Sequence, residues 1–94
     1  MGAQKAYQEK MEAQLKEWRA KIDVLKAKAD KAEADKRAKY YEKVESLRSK
    51  QKAAADKLKE LQKAGEGAWE DVKSGMEKAW KDLKTSVEEA SKKF

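Results

Sequence analysis

Pairs of acidic residues at helical spacing are the first groups in this sequence that could do chemistry, as general acids and bases or as metal ligands. Metal sites in helical bundles need inward-facing Glu together with His three residues further on, and the chain contains neither His nor Cys. Most of the pairs fall off the apolar stripe of the chain, so we predict solvated surface groups, with no metal and no cofactor. The pairs are Glu9/Glu12, Asp30/Glu33, Glu42/Glu45, Asp56/Glu60 and Glu66/Glu70.

Serine and threonine hydroxyls are the next candidates, as nucleophiles. No His is available to activate them, and a Ser–Lys pair needs a desolvated Lys, whereas the lysines here lie on charged helix faces. The glycines at 65, 67 and 75 follow no strand and precede no Gly-Lys-Ser/Thr, so a phosphate-binding loop is absent. The sequence therefore predicts a protein without enzyme activity or a small-molecule substrate.

A basic stretch with two tyrosines, Tyr40 and Tyr41, spans residues 26–43 and could contact nucleic acid. Acidic residues interrupt it, which favours a solvated helix face and makes weak, non-specific nucleic-acid binding the second alternative function. Residues 1–57 contain 16 Lys/Arg and 10 Asp/Glu, whereas residues 58–94 contain 8 of each. The net charge of +6 therefore belongs to the first part, and so does any attraction to an anionic partner.

An eleven-residue sequence occurs twice in succession near the end of the chain. WEDVKSGMEKA begins at Trp69, and WKDLKTSVEEA follows it directly from Trp80. Eleven residues make almost three helical turns, so the repeated side chains return to one face of a helix. The tryptophans are either bulky core anchors or anchors on a membrane surface. The zero charge of this part and its narrow stripe favour the core.

Helices must position all these groups, because apolar residues recur at spacings of three and four along the whole chain. The spacing is heptad-like over residues 11–32 and hendecad-like after residue 69, which predicts a less left-handed course there. We interpret the stripe as one continuous packing seam. Its members are Met11, Leu15, Trp18, Ile22, Leu25, Tyr40, Val44, Leu47, Leu58, Leu61, Trp69, Val72, Met76, Trp80, Leu83, Val87 and Phe94.

The pattern predicts a helix over about 5–63, a turn at 64–67, and a helix over about 68–93. The alternative is a helix that runs straight through the glycines, because Leu61, Gly65 and Trp69 stay in phase on one face. Gly65 suits the position after a helix end, and Gly67 suits an N-cap. A bend near residues 33–38 is the less favoured alternative. Every residue there is a tolerable helix former, although Lys36 and Lys39 occupy positions where the seam expects apolar residues.

The predicted fold is all-α, with residues 1–94 as a single domain formed by a long amphipathic helix and a shorter C-terminal one. A narrow stripe cannot form a core alone, so we expect a helical hairpin or an oligomeric coiled-coil bundle. The favoured function is a structural or interaction protein that self-associates, as a homo-oligomer, or packs on a protein partner. The first alternative is a peripheral protein that binds an anionic membrane surface.

Targeting signals add little to these expectations. The N-terminal residues MGAQKAYQEK contain no apolar segment typical of a signal peptide, and no apolar run approaches the roughly 20 residues of a membrane span. A cytoplasmic location is therefore favoured.

The motif AWEDVKSGMEKAWKDLK, residues 68–84, follows a helix rich in Lys, Glu and Ala. In this it resembles small bacterial coiled-coil proteins, and the resemblance implies long helices without enzyme activity. The tandem eleven-residue repeat is also distantly similar to the amphipathic repeats of apolipoproteins, although this chain has no proline between its helices.

Overall fold

Three helices make up the protein in a computed structural model that describes residues 2–94. They are α1 (Gly2–Asp30), α2 (Ala34–Lys63) and α3 (Trp69–Lys93), and the described residues include no strand. The chain runs up, down and up, so α2 is antiparallel to both neighbours and α1 is parallel to α3. The bundle measures 51 × 18 × 18 Å. The all-α prediction is confirmed.

The helix expected over residues 5–63 is wrong as a single element, because it is interrupted at residues 31–33. Glu33 takes an extended conformation as the N-cap of α2, and the guanidinium of Arg37 donates to the carbonyl of Ala32 at 3.1 Å. No local helix breaker causes this turn. A straight helix leaves both apolar stripes in water, whereas folding back buries many side chains at about 1.5–3 kcal/mol each. That gain outweighs three residues of lost helix.

The turn between α2 and α3 lies where the glycines predict it. Ala64 is the C-cap of α2, and the N–H of Ala68 donates to the carbonyl of Gly65 at 3.0 Å. The cap geometry differs from the expectation: Gly65 is not left-handed, since no described residue has a positive φ, and Ala68 rather than Gly67 is the N-cap of α3. Glycine acts here by weakening the helix, at roughly 1 kcal/mol relative to Ala.

One core runs along the bundle axis and uses the seam of all three helices. Its centre is fully buried, with Ile22, Leu61, Met76 and Leu83 without solvent exposure. Four seam residues lie at its edge, half-buried against it: Leu15, Tyr40, Val72 and Phe94. The apolar seam is therefore buried inside the molecule. None of the three described helices has an apolar stretch that could cross a membrane.

Candidate anion-binding face

Aromatic pairs between α1 and α3 explain the tandem repeat. Tyr7 packs edge-on against Trp69 with ring centroids 6.3 Å apart, and Trp18 packs against Trp80 at 5.4 Å. Tyr7 and Trp18 are eleven residues apart, as are Trp69 and Trp80. Since equal numbers of residues give equal rises on parallel helices, one register forms both pairs. The repeat is thus part of the internal packing.

Two of these four aromatic residues also have their polar atoms hydrogen-bonded within the bundle. The indole N–H of Trp80 donates to Oε1 of Gln14 at 2.7 Å, and the hydroxyl of Tyr7 donates to Oε1 of Glu77 at 3.2 Å. Partial burial, followed by the charge and hydrogen bond of Glu77, raises the pKa of Tyr7 to about 12. Among residues 2–94, no fully buried side-chain nitrogen or oxygen lacks a hydrogen-bond partner.

Every seam residue predicted from the sequence lies in the core or packs against it. Four further positions of the sequence stripe are buried with them: Ala29, Gln51, Ala54 and Ala90. Outside the core, Val24 is the one large apolar residue of the described chain that is mainly exposed, at 55%. The surface therefore offers charge, rather than an apolar face, to a partner.

The edge of α2 that faces α1 has its polar groups paired. The hydroxyl of Tyr41 donates to the carboxylate of Asp30, which lowers the pKa of Asp30 and raises that of Tyr41. Further along, Arg48 donates to Asp23 at 3.0 Å. These contacts hold α1 and α2 in register and use up charge of both signs.

The opposite edge of α2, facing α3, carries what we name the lysine row: Lys36, Lys43, Lys50 and Lys57. The four recur every seven residues, so they share one side of the helix over about 31 Å at a rise of 1.5 Å per residue. α2 as a whole contains ten Lys/Arg against five Asp/Glu. Within the row, Lys50 is paired with Asp82 at 3.4 Å and Lys57 with Glu60 at 3.5 Å.

A groove between α2 and α3 opens at the middle of the lysine row. Its volume is about 120 Å³, and its floor is formed by the apolar edge of the core. Nζ of Lys50 donates to Oγ of Ser86 at 2.6 Å and lies 3.4 Å from Oδ1 of Asp82. The groove is lined by Lys43, Ser46, Leu47, Lys50, Ser86, Glu89, Ala90 and Lys93.

The lining of this groove includes the ammonium groups of both Lys43 and Lys93. The contact with the ammonium of Lys93, then partial desolvation and charge repulsion, lower the pKa of Lys43, and the carboxylate of Glu89 opposes the shift. Neither Lys43 nor Lys93 forms an ion pair with a carboxylate of residues 2–94. Two like charges in one groove, opposed by a single carboxylate, favour the binding of a further anion.

The other sequence candidates for chemistry do not converge. Within the part of the chain that the structure describes, no three acidic side chains come together in a way that could hold a metal ion. Tyr40 and Tyr41 of the basic stretch are both engaged: Tyr40 stacks on Phe94 at 4.5 Å, and Tyr41 is bonded to Asp30. Neither ring is free to stack on a base.

The sequence analysis missed the groove, although one signal for it exists. In a hairpin folded near Glu66, a residue on α2 faces the residue equally far along α3. Lys43 lies twenty-three residues before Glu66, and Glu89 lies twenty-three residues after it. The total charge of residues 58–94 is zero, and this total gives no sign that Lys93 lies next to the lysine row in the folded protein.

Comparisons of the chain with protein-family models, with curated proteins and with solved structures each found no match.

Proposed function

We propose that this protein is a non-enzymatic interaction module that docks on an anionic lipid surface through the lysine row of its intact bundle. The observation that carries the proposal is the alignment of four lysines along one edge of α2, on a molecule whose apolar seam is already buried. Charge is then the main attraction available to a partner. The bundle attaches as a folded rod, and its tryptophans stay in the core.

The shape and chemistry of the row suit a membrane surface better than a nucleic acid. A rod 51 Å long presents a line of lysines to a plane, and each Lys near an anionic leaflet contributes about 1 kcal/mol. Lys is a point charge without the bidentate fork with which Arg reads phosphates and bases. No aromatic ring lies free beside the row for base stacking, because Tyr40 is covered by Phe94.

The sequence favoured self-association through the apolar seam, but in this bundle the seam is already buried and needs no second copy. Self-association was expected because a narrow stripe on a lone helix needs a partner. Three stripes from the same chain now cover one another, with Met11, Val44 and Val87 all below a tenth exposed. The interaction function is therefore assigned to the charged surface.

Co-sedimentation with vesicles tests the proposal. We expect binding to phosphatidylcholine vesicles that contain phosphatidylserine, none to phosphatidylcholine alone, and loss of binding at high salt as screening shortens the range of the attraction. Tryptophan fluorescence should change little on binding, since Trp18, Trp69 and Trp80 are at most 8% exposed before it. A large blue shift would instead indicate that the bundle opens.

The variant Lys36→Gln/Lys57→Gln removes two charges from the lysine row, and we expect binding about thirtyfold weaker. The matched control is Lys52→Gln/Lys59→Gln, which removes two charges from the same helix. Each control lysine lies two residues after a member of the row, about 200° around the helix. Equal losses in both variants, or tighter binding to duplex DNA than to vesicles at the same salt, would contradict the proposal.

A further inference from the structure

The groove between α2 and α3 has features that general surface charge does not require. Its lining carries three ammonium groups, on Lys43, Lys50 and Lys93, against the single carboxylate of Glu89. Lys43, Lys50 and Ser86 are half-buried. The volume of about 120 Å³ is well above the roughly 15 Å³ that one ordered water requires.

Hydrogen-bond donors in the groove converge from both helices. Each ammonium group of Lys43 and Lys93 has three N–H donors. Oγ of Ser86 accepts from Lys50, which leaves the hydroxyl proton of Ser86 free to be donated to a ligand. Ser46 adds a second hydroxyl from α2. The arrangement suits a small ligand that has several acceptor atoms and more than one negative charge.

We propose that this groove binds one phosphomonoester group, with Lys43 and Lys93 on opposite sides of the phosphate and Ser86 donating to a third oxygen. A phosphomonoester has three terminal acceptor oxygens and a charge of about −1.5 to −2 at neutral pH. A phosphodiester offers two free oxygens and a single charge, so it matches the lysine pair less well. Glu89 remains at the rim, and its carboxylate limits the affinity.

This inference rests on the proposed docking function, because it names the headgroup chemistry that the lysine row selects on a lipid surface. The phosphomonoester group has two sources: the headgroup of a lipid such as phosphatidic acid, or a soluble phosphate ester. The same groups of Lys43, Lys93 and Ser86 would bind the lipid headgroup or the soluble ester, so the experiment has one arm for each source.

The lipid arm compares two vesicle preparations adjusted to the same surface potential, one with phosphatidic acid and one with phosphatidylglycerol. We expect the protein to bind the phosphatidic acid vesicles about tenfold more tightly, the effect of one charge-assisted hydrogen bond of ordinary strength. Lys43→Gln/Lys93→Gln should lose this preference. Equal binding of the unaltered protein to both preparations would overturn the selection of phosphomonoester headgroups.

The matched control is Lys52→Gln/Lys84→Gln. Each of its residues lies nine positions from its counterpart in the groove, which places it about 180° away on the same helix. The control removes the same charge from the same two helices, so it should keep the preference for phosphatidic acid. Loss of the preference in the control as well would assign it to net charge and overturn the groove.

The soluble arm titrates glycerol 3-phosphate into the protein and follows amide chemical shifts. We expect saturable shifts centred on Ser46, Ser86 and Lys93, present in the control and absent in Lys43→Gln/Lys93→Gln. Such shifts without any vesicle binding support the groove and refute membrane docking. Vesicle binding that is indifferent to headgroup, with no shifts from glycerol 3-phosphate, supports docking and refutes the groove.

Discussion

Aromatic side chains set the register of α1 against α3. Trp18 and Trp80 pack at 5.4 Å with their rings tilted by 57°, and the indole of Trp80 is anchored to Gln14. Such pairs add about 0.5–1.5 kcal/mol to the burial of their surface. The parallel helices α1 and α3 are not joined by a short loop that would fix their register. These aromatic side chains fix the register instead.

Trp18→Ala should therefore be among the most damaging single substitutions in the chain. Removing a buried Trp costs about 3–5 kcal/mol, from lost burial and the cavity left behind. Urea unfolding followed by circular dichroism measures the loss, with the exposed Lys16→Ala as the control. A cost below about 1 kcal/mol would show that the pair with Trp80 does not hold the bundle together.

Tyr7 gives stability a defined dependence on pH. Its pKa is raised from 10.0 to about 12, so the folded state keeps the hydroxyl proton at pH values where the unfolded chain releases it. The contribution is complete below pH 10 and is lost as the pH rises through about 12. Over this range Tyr7→Phe should lose less stability than the unaltered protein, measured as the shift of the urea midpoint. Parallel curves would contradict the assignment.

Lys43 contributes to the pH dependence of stability with the opposite sign to Tyr7. Its pKa is lowered by Lys93, so the unfolded chain binds more protons near the ordinary pKa of 10.5, and stability from this group rises with pH. Lys43→Gln removes the repulsion in the ligand-free protein. We expect it to unfold at an equal or higher temperature than the unaltered protein at neutral pH. A clearly lower midpoint would show that the two ammonium groups do not repel each other.

At the scale of the helices, the elements differ in how they are held in place. α2 lies between the other two and packs extensively on both, whereas α1 and α3 contact each other less. The outer edges of α2 have different chemistry. Tyr41 and Arg48 bond to acidic residues of α1 on one edge, and the lysine row, with Lys50 and Lys57 in ion pairs, lies on the other. The middle helix thus serves both as the structural centre and as the proposed docking edge.

Gly75 is an internal weakness of α3. It lies within the helix, and a Cβ built there meets no atom within 4 Å. Gly75→Ala should stabilise the protein by about 0.5–1 kcal/mol, because alanine loses less backbone entropy in a helix. Chemical denaturation measures the gain. A destabilisation would indicate that the backbone at Gly75 needs close approach to α2.

At the scale of the whole molecule, one small rod buries its own apolar stripes and exposes charge. Its core extends from Tyr7 and Trp69 at one end to Tyr40 and Phe94 at the other, so the whole length contributes to stability. The outer surface has only one mainly exposed large apolar residue among those described, Val24. Little exposed apolar surface remains on which a second copy of the chain could pack.

We accordingly expect a monomer of 10.7 kDa by light scattering, with a radius of gyration near the 15.3 Å of the Cα atoms in small-angle scattering. A stable dimer would contradict the assignment of the seam to the inside of one chain. Val24→Lys then becomes the informative variant, because a dimer formed on its exposed side would dissociate.

The sequence by itself determined the helical character of the chain and the residues of the seam, and it favoured the turn after Lys63. These features depend on periodicity and on glycine, which act over a few neighbouring residues. Met76 and Leu83 could be assigned to the core for this reason, since their spacing places them on one face wherever that face is covered. The spacing does not determine which other segment of the chain covers that face.

Only the tertiary structure decided the turn at residues 31–33, the partners of Trp69 and Trp80, and the groove at Lys43. Each depends on which segments of the chain meet, and that is set by the free energy of burying all three stripes together. Residues 31–33 contain no helix breaker, and the tryptophans have the same spacing in a core as on a lipid surface. Lys93 reaches Lys43 only because α3 folds back along α2.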